Sequence, residues 1–331
     1  MKNSHRRFAA IALMGNPKDP RALEAMRILA PHLLRAGCSV KVSRSVRSRA
    51  LPAATRRVAE EQLASRADLV IAIGGDGTML YAARRIAGRK VPLLGINRGR
   101  LGFLADVGPE HMLAHIDQIL AGHYVSEQRM LLTASLVRND AVVASAIALN
   151  DVVVKRHDTG RMVEYQTFVD GSYVNTHLGD GFIIATPTGS TAYALSCGGP
   201  IVEPGLDALV LTPICPHTLS DRPLVIPGNR VAEVRLRADP ASSRGRTDPA
   251  DRAEVTCDGE VLGRLAPGSS VRVSAARQRI ELVHPVGYDY FNILRSKLLW
   301  GRDTRDNGQD PARAPRPAAA RPAAARRNQA R

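Results

Sequence analysis

Leu69-Val70-Ile71-Ala72-Ile73-Gly74-Gly75-Asp76-Gly77-Thr78 is the stretch on which the fold turns. Five apolar, largely β-branched residues predict a strand buried on both faces. Gly74, Gly75 and Gly77 let the chain turn sharply and approach a ligand closely. The residues from Thr78 to Ala87 predict a helix ended by Gly88. A glycine turn at a helix N-terminus offers free N–H donors and the positive dipole end, so phosphate is its natural guest. Asp76 is out of place in a pure phosphate cradle, because its charge would repel the ligand. A metal ion, or a proton to be removed, gives it a reason to be there.

Working outward, the segments on either side alternate between strand and helix. Phe8 to Met14 predicts a strand, and Leu23, Met26, Leu29, Leu33 and Leu34 mark one helix face closed by Gly37. Val40 and Val42 predict a short strand, Val58 to Ala64 a helix, Val91 to Ile96 a strand and Pro109 to Leu120 a helix. This alternation predicts a parallel sheet covered by helices, with ligands beyond the carboxyl ends of its strands. After about residue 130 the segments become short and β-rich, with Asp170-Gly171 as a hairpin turn.

The expected organisation is an α/β nucleotide-binding domain over 1–130, with a Rossmann-like sheet. A β-rich domain follows over 131–287. Residues 288–300 form a helical return segment packed on the first domain, and 301–331 a disordered Ala/Pro/Arg-rich tail.

Composition removes several function classes. No apolar run reaches the roughly 18 residues that span a membrane. Four cysteines without C-x-x-C spacing fit a reducing cytoplasm. The net charge of +15 is concentrated in the tail and between Arg35 and Arg57. With 4% aromatics and no nucleic-acid motif, it reads as attraction for polyanionic nucleotides rather than base readout. There is no Walker A loop, and Leu80 stands where a G-x-G-x-x-G fingerprint would need its last glycine. His111 and His115 have zinc-like helical spacing but no evident third ligand, and no residue is assigned to a metal.

Three further strings carry chemistry. Gly95-Ile96-Asn97-Arg98-Gly99-Arg100-Leu101-Gly102-Phe103-Leu104 is a strand end with a glycine-spaced loop. Leu149-Asn150-Asp151-Val152-Val153 sets an amide and a carboxylate side by side in an apolar strand. The segment from Gly179 to Pro200 opens a strand into Thr186-Pro187-Thr188-Gly189-Ser190-Thr191-Ala192-Tyr193-Ala194-Leu195-Ser196. That loop is dense in hydroxyls suited to a polar ligand.

The Gly74–Thr78 turn alone resembles NAD kinases, diacylglycerol-type lipid kinases and phosphofructokinases. All four strings in order, from Leu69 to Trp300, closely resemble the bacterial NAD kinase family. The resemblance implies transfer of the γ-phosphoryl of ATP to the 2′-hydroxyl of NAD's adenosine ribose, with Mg²⁺ as the expected cation. It implies Asp76 as proton acceptor, with Gly74, Gly75, Gly77 and Asn97 beside the nucleotide and Phe103 stacked on a base. Asn150 and Asp151 would hold the adenosine part. Arg161, Asp180, Thr191, Ala192, Tyr193, Ala194, Leu195, Ser196 and Glu260 supply the remaining contacts. A dimer or tetramer acting on small nucleotides is expected, with no membrane or specific nucleic-acid partner. Three positions depart from the family pattern: Asp151 for Glu, Leu178 for a basic residue, and Glu260 for Gln. The rival is a lipid or sugar kinase, and the polar loop argues against a lipid acceptor.

Overall fold

The computed structural model describes residues 8–47, 50–99, 102–156, 163–237 and 253–300. Arg161, Arg100, Leu101 and the 301–331 tail lie outside them.

The first half contains β1 (Ala10–Gly15), α1 (Pro20–Arg35), β2 (Ser39–Ser43), β3 (Arg56–Val58), β4 (Leu69–Ile73), α2 (Asp76–Ile86), β5 (Leu93–Ile96) and α3 (Met112–Leu120). Its strands are all parallel and lie in the order β3-β2-β1-β4-β5. Such an order places a ligand crevice where it reverses, beyond the ends of β1 and β4. Residue parity explains the two covered faces. Ile11, Leu13, Leu69, Ile71 and Ile73 point to α1 and α3. Ala12, Met14, Val70 and Ala72 point to Met79, Ala82, Ala83 and Ile86 of α2. Asp19 starts α1 by accepting from the Arg21 N–H, and Pro20 follows at the first helical position.

The expected helix over 58–64 is not formed. Arg56–Val58 pairs in parallel with β2, and a single 3₁₀ turn at Glu60–Gln62 follows. Tertiary pairing outweighs weak local propensity here, and Leu63 and Ala64 are buried without a helix.

The second half contains β6 (Tyr124–Arg138), β7 (Ala141–Ala148), β8 (Asp151–Arg156), β9 (Val163–Val169), β10 (Ser172–Gly179) and β11 (Gly181–Ala185). The one-turn helix α4 (Tyr193–Ser196) is followed by β12 (Ala208–Ile214), β13 (Leu224–Pro227), β14 (Ala232–Leu236), β15 (Ala253–Cys257), β16 (Glu260–Leu265), β17 (Ser270–Pro285) and α5 (Tyr290–Leu298). A six-stranded sheet, β13-β12-β11-β8-β15-β16, packs face to face on β6, β9, β14 and β17. Hairpins close at Asn139-Asp140, Asp170-Gly171 and Asp258-Gly259, each with positive φ at both residues, as a type I′ turn requires.

The halves are not separated by a linker. β17 pairs along most of β6, then runs parallel to β5 at Leu282 and Val283. The expected division after residue 130 falls inside β6, and the chain returns to the first half through β17 before residue 288. α5 follows, with Ile293 and Leu294 buried. Among the described residues, no helix is long and apolar enough to cross a membrane.

Candidate active site

Asp76 is the first residue of α2, and Gly75 is its N-cap in extended backbone. The turn is tight: a Cβ on Gly74 would lie 2.0 Å from Thr78 Oγ1. The Asp76 carboxylate is fixed from across the crevice. Its Oδ2 accepts from Phe103 N at 3.1 Å and its Oδ1 from Leu104 N at 3.0 Å. Gly102 makes that approach possible, since a Cβ there would stand 2.2 Å from Asp76 Oδ1. Asn97 is buried and braces the same loop, its Oδ1 accepting from Gly99 N at 2.8 Å. It therefore faces its own loop rather than the crevice. The Phe103 ring lies 5.9 Å from the Lys297 ammonium of α5.

Beside Gly75 opens a cleft of about 450 Å³ lined by Asn16, Lys18, Asp19, Arg21 and Arg98. Three cations at the N-terminus of α1 and the end of β5 suit an anion. Arg98 pairs with Asp19. Lys18 and Arg21 were not among the expected site residues. The Gly15-Asn16-Pro17 turn after a buried strand was the signal for them.

α2 also carries Asp76 towards the second half. Its apolar face, Met79, Ala82 and Ala83, shares a core with Leu149, the residue before Asn150. The Asn150 Oδ1 is buried with no hydrogen-bond partner among the described residues. Such an atom is costly unless a ligand donor fills the place. Asp151 is 7% exposed, and burial, with the Asp258 carboxylate beside it, pushes its carboxyl up to about 7. Asp258 in turn takes the N–H groups of Leu149 (2.8 Å), Asn150 (2.8 Å) and Asp151 (3.2 Å). Burial raises its proton affinity too, against the pull of those three donors and of Arg84.

The Thr186–Ser196 loop corrects the expectation drawn from its hydroxyls. Thr186, Thr188 and Ser190 are buried, and their hydroxyls bond to protein groups: those of Thr186 and Ser190 to the loop and its neighbours, that of Thr188 to Arg129. Thr186 Oγ1 donates to Leu149 O at 2.6 Å and accepts from Gly189 N at 3.0 Å. Ser190 Oγ donates to Pro187 O and accepts from Val202 N. Gly189 sits against the Asn150 backbone, where a Cβ would come 2.1 Å from Asn150 O. The hydroxyls thus press the loop onto Asn150, while Thr191, Ala192, Tyr193, Leu195 and Ser196 keep some exposure. Ala194 is fully buried in the outer core of the six-stranded sheet and offers no exposed surface. Asp180 pairs with Arg156 Nε at 3.1 Å, and Leu178 is half-exposed on β10.

A buried polar network lies under the same loop. His284 Nδ1 is 3.0 Å from Asp106, and its Nε2 is 3.0 Å from Glu127. Arg129, 2% exposed, pairs with Glu127, donates to Thr188 Oγ1 at 3.1 Å and reaches the Tyr288 hydroxyl at 3.3 Å. Burial works against charge on His284, but its two carboxylate partners outweigh it and raise its proton affinity. Burial likewise opposes charge on Glu127, yet the His284 hydrogen bond and the Arg129 charge hold it down to about 2.

Comparison with known proteins matches most of the chain. The profile of the ATP-NAD kinase N-terminal domain matches residues 11–124, and that of the C-terminal domain matches residues 149–285. The NAD kinase of Halorhodospira halophila is 43% identical over 298 residues, covering 89% of this chain and 94% of its own length. That of Nitrosococcus oceani is 41% identical, covering 89% and 98%. Among solved structures, the Archaeoglobus fulgidus NAD kinase in complex with ATP superposes with a TM-score of 0.67 at 25% identity, covering 88% of this chain and 98% of that one. The yeast NADH kinase complexed with NADH gives a TM-score of 0.81 over 92% and 91% at 24% identity, a likeness of fold. Glycine turn, braced carboxylate and Asn-Asp strand all fall within the matched regions, and the chain belongs to the NAD kinase family.

Proposed function

We propose that this NAD kinase family enzyme phosphorylates NAD to NADP with ATP at the crevice between α2, the 97–105 loop and the Asn150–Asp151 strand. One observation carries this reading. α2, which starts at the phosphate turn, shares a buried core with Leu149, and the next residue along, Asn150, has a buried Oδ1 with no partner among the described residues. A ribose hydroxyl is the donor that atom lacks. In this reading the donor phosphates lie in the cleft of Lys18, Arg21, Arg98 and Gly75, which offers cations and N–H groups. Asn150 and Asp151 hold the adenosine ribose, and the exposed side of Thr191–Ser196, with Asp180 and Arg161, completes the acceptor site.

Phosphoryl transfer needs positioning and charge neutralisation more than covalent help from the protein. Asp76 meets the first need. Two backbone donors fix its plane, one to each oxygen, and each oxygen keeps a lone pair for the 2′-hydroxyl. A carboxylate is a weak base towards that hydroxyl, so the proton reaches Asp76 late, as the new O–P bond forms. Mg²⁺ fits this donor set: it is commonly held by one or two carboxylates and the nucleotide phosphates, and Asp76 would be the protein's oxygen. When bound, it neutralises phosphate charge.

The reading extends to a homodimer or homotetramer in a reducing cytoplasm. All four cysteines are free, which supports that setting. The exposed apolar side chains of Tyr173 and Val174 on edge strand β10, and of Leu224 and Val225 on edge strand β13, support self-association.

The test is NADP formation from NAD, ATP and Mg²⁺ by wild type and Asp76→Asn. Turnover is expected to fall at least about a hundredfold with NAD affinity nearly kept. A near-normal kcat in the variant would overturn the assignment of Asp76.

A further inference from the structure

Arg84 stands on α2 and faces the second half of the molecule. Its guanidinium converges on the β15–β16 turn. Nη1 lies 3.5 Å from the Asp258 carboxylate and 3.4 Å from the Asp258 carbonyl, while Nη2 pairs with Glu260. The Asp258 side chain is wholly buried, and it sets the path of Leu149, Asn150 and Asp151 through their three N–H groups. One arginine therefore ties the helix that begins at Asp76 to the aspartate that shapes the Asn150–Asp151 strand.

The charges around this point are lopsided. Asp151 faces it from β8, Asp258 and the Cys257 thiol from the end of β15, Glu260 from β16, and Tyr193 from α4. Arg84 is the cation beside Asp258, Glu260 and Cys257. The Glu260 carboxylate is engaged by Arg84.

We infer that Arg84 is a positioning residue for the phosphoryl acceptor. Clamped to Asp258 and Glu260, it holds Asn150 and Asp151 in register with Asp76, and Glu260 serves as the partner of Arg84 rather than as a direct ligand of the dinucleotide. This rests on the proposed reading of Asn150 and Asp151 as acceptor-binding residues. Misplacing a reactant by about 1 Å can cost about a hundredfold in rate, so a clamp between the two halves has kinetic weight. Without Arg84, Asp151 and Asp258 face each other without a counter-charge, and the pair keeps its proton to higher pH.

The experiment is steady-state NADP formation by the full chain from pH 6 to 9, for wild type, Arg84→Ala, Arg84→Lys, Glu260→Gln and the double variant Arg84→Ala/Glu260→Gln. Arg84→Ala is expected to raise the KM for NAD about tenfold while the KM for ATP changes little. The acid limb of kcat/KM for NAD moves to higher pH, and Lys restores part of the loss. Glu260→Gln has a smaller effect in the Arg84→Ala background than in wild type, as coupled residues do. A purely structural role would lower thermal stability without moving the acid limb or separating the two KM values. The inference is overturned if Arg84→Ala matches wild type in NAD KM and acid limb, or if the two substitutions act independently. Should Arg84→Ala not fold, Arg84→Lys is read alone. A raised NAD KM with unchanged ATP KM supports the clamp, and wild-type values overturn it. Absence of NADP formation by wild type removes the proposed function as well; wild-type turnover with indifferent variants removes only the clamp.

Discussion

Asp151→Asn is expected to stabilise the nucleotide-free enzyme at neutral and alkaline pH while impairing it as a kinase. Burial, then the Asp258 carboxylate, lifts Asp151 from an ordinary 3.8 to about 7. The folded chain thus holds this proton more tightly than the unfolded chain does. Stability from this group is complete below about pH 4, declines as pH rises, and is gone above the folded value of about 7. The span between the two values corresponds to about 4 kcal/mol. At 7% exposure, solvent does little to screen it. Asparagine has nearly the same shape and no charge at any pH. Urea unfolding of both chains, followed by circular dichroism from pH 4 to pH 8, is the assay. The curves coincide near pH 4 and separate steadily, with the variant ahead by about 4 kcal/mol at pH 8. A difference that does not vary with pH, or a wild type that is the more stable at pH 8, refutes the reasoning. In the same preparations NADP formation is expected to fall, because an amide replaces the carboxylate proposed to accept from ribose.

Two further outcomes follow from the packing. Gly102→Ala puts a Cβ 2.2 Å from Asp76 Oδ1, so the 97–105 loop or the carboxylate must move. kcat is expected to fall at least about tenfold with little change in the melting temperature, and a crystal structure would show the lost Phe103 and Leu104 bonds. His284→Ala leaves Asp106 and Glu127 buried without their shared partner, a loss of about 3–5 kcal/mol in chemical denaturation. The sign with pH is fixed. His284 is held above its ordinary value, so its stabilising share is full below about 6.5 and fades as pH rises through the folded value. Glu127, held down to about 2, contributes above 4.5 and loses that share as pH falls towards 2. The gap between wild type and His284→Ala therefore narrows at both extremes.

The parts of the fold that were legible in the sequence are those where one physical constraint dominates. Leu69–Ile73 must be a strand buried on both faces, and alternate residues of that strand do feed two separate cores. Asp170-Gly171 makes a hairpin because its backbone angles admit little else. Ala253 to Cys257 reads as a strand and forms β15, and the same turn rule applied to Asp258-Gly259 would have added β16 and the acceptor of the Leu149–Asp151 N–H groups. β10 and most of β17 escaped because their polar residues, such as Asn175, Thr176, Arg277 and Gln278, hide the alternation that marks a strand. β17 owes its form to β6 and β14, far away in sequence, which no local pattern displays. Side-chain direction was equally hidden. Nothing in Thr186-Pro187-Thr188-Gly189-Ser190 says that its hydroxyls turn inward to brace Asn150.

What the structure adds is a reason for the two halves to act as one. Phosphoryl transfer places its demand on distance and alignment, and the chain meets that demand by crossing its own boundary repeatedly. β17 pairs with strands of both halves, α2 buries itself on Leu149, and Arg129 reaches from β6 to Thr188 in the loop behind Asn150. These crossings are a backbone ladder, an apolar core and a charge-assisted hydrogen bond, the last strengthened by its burial. A carboxylate can serve in such a setting because its contribution is where it stands. Asp76 is held by the N–H groups of Phe103 and Leu104, at the start of a helix that shares a core with Leu149 of the other half. The chemistry thus depends on connections, most of which lie outside the residues that touch substrate.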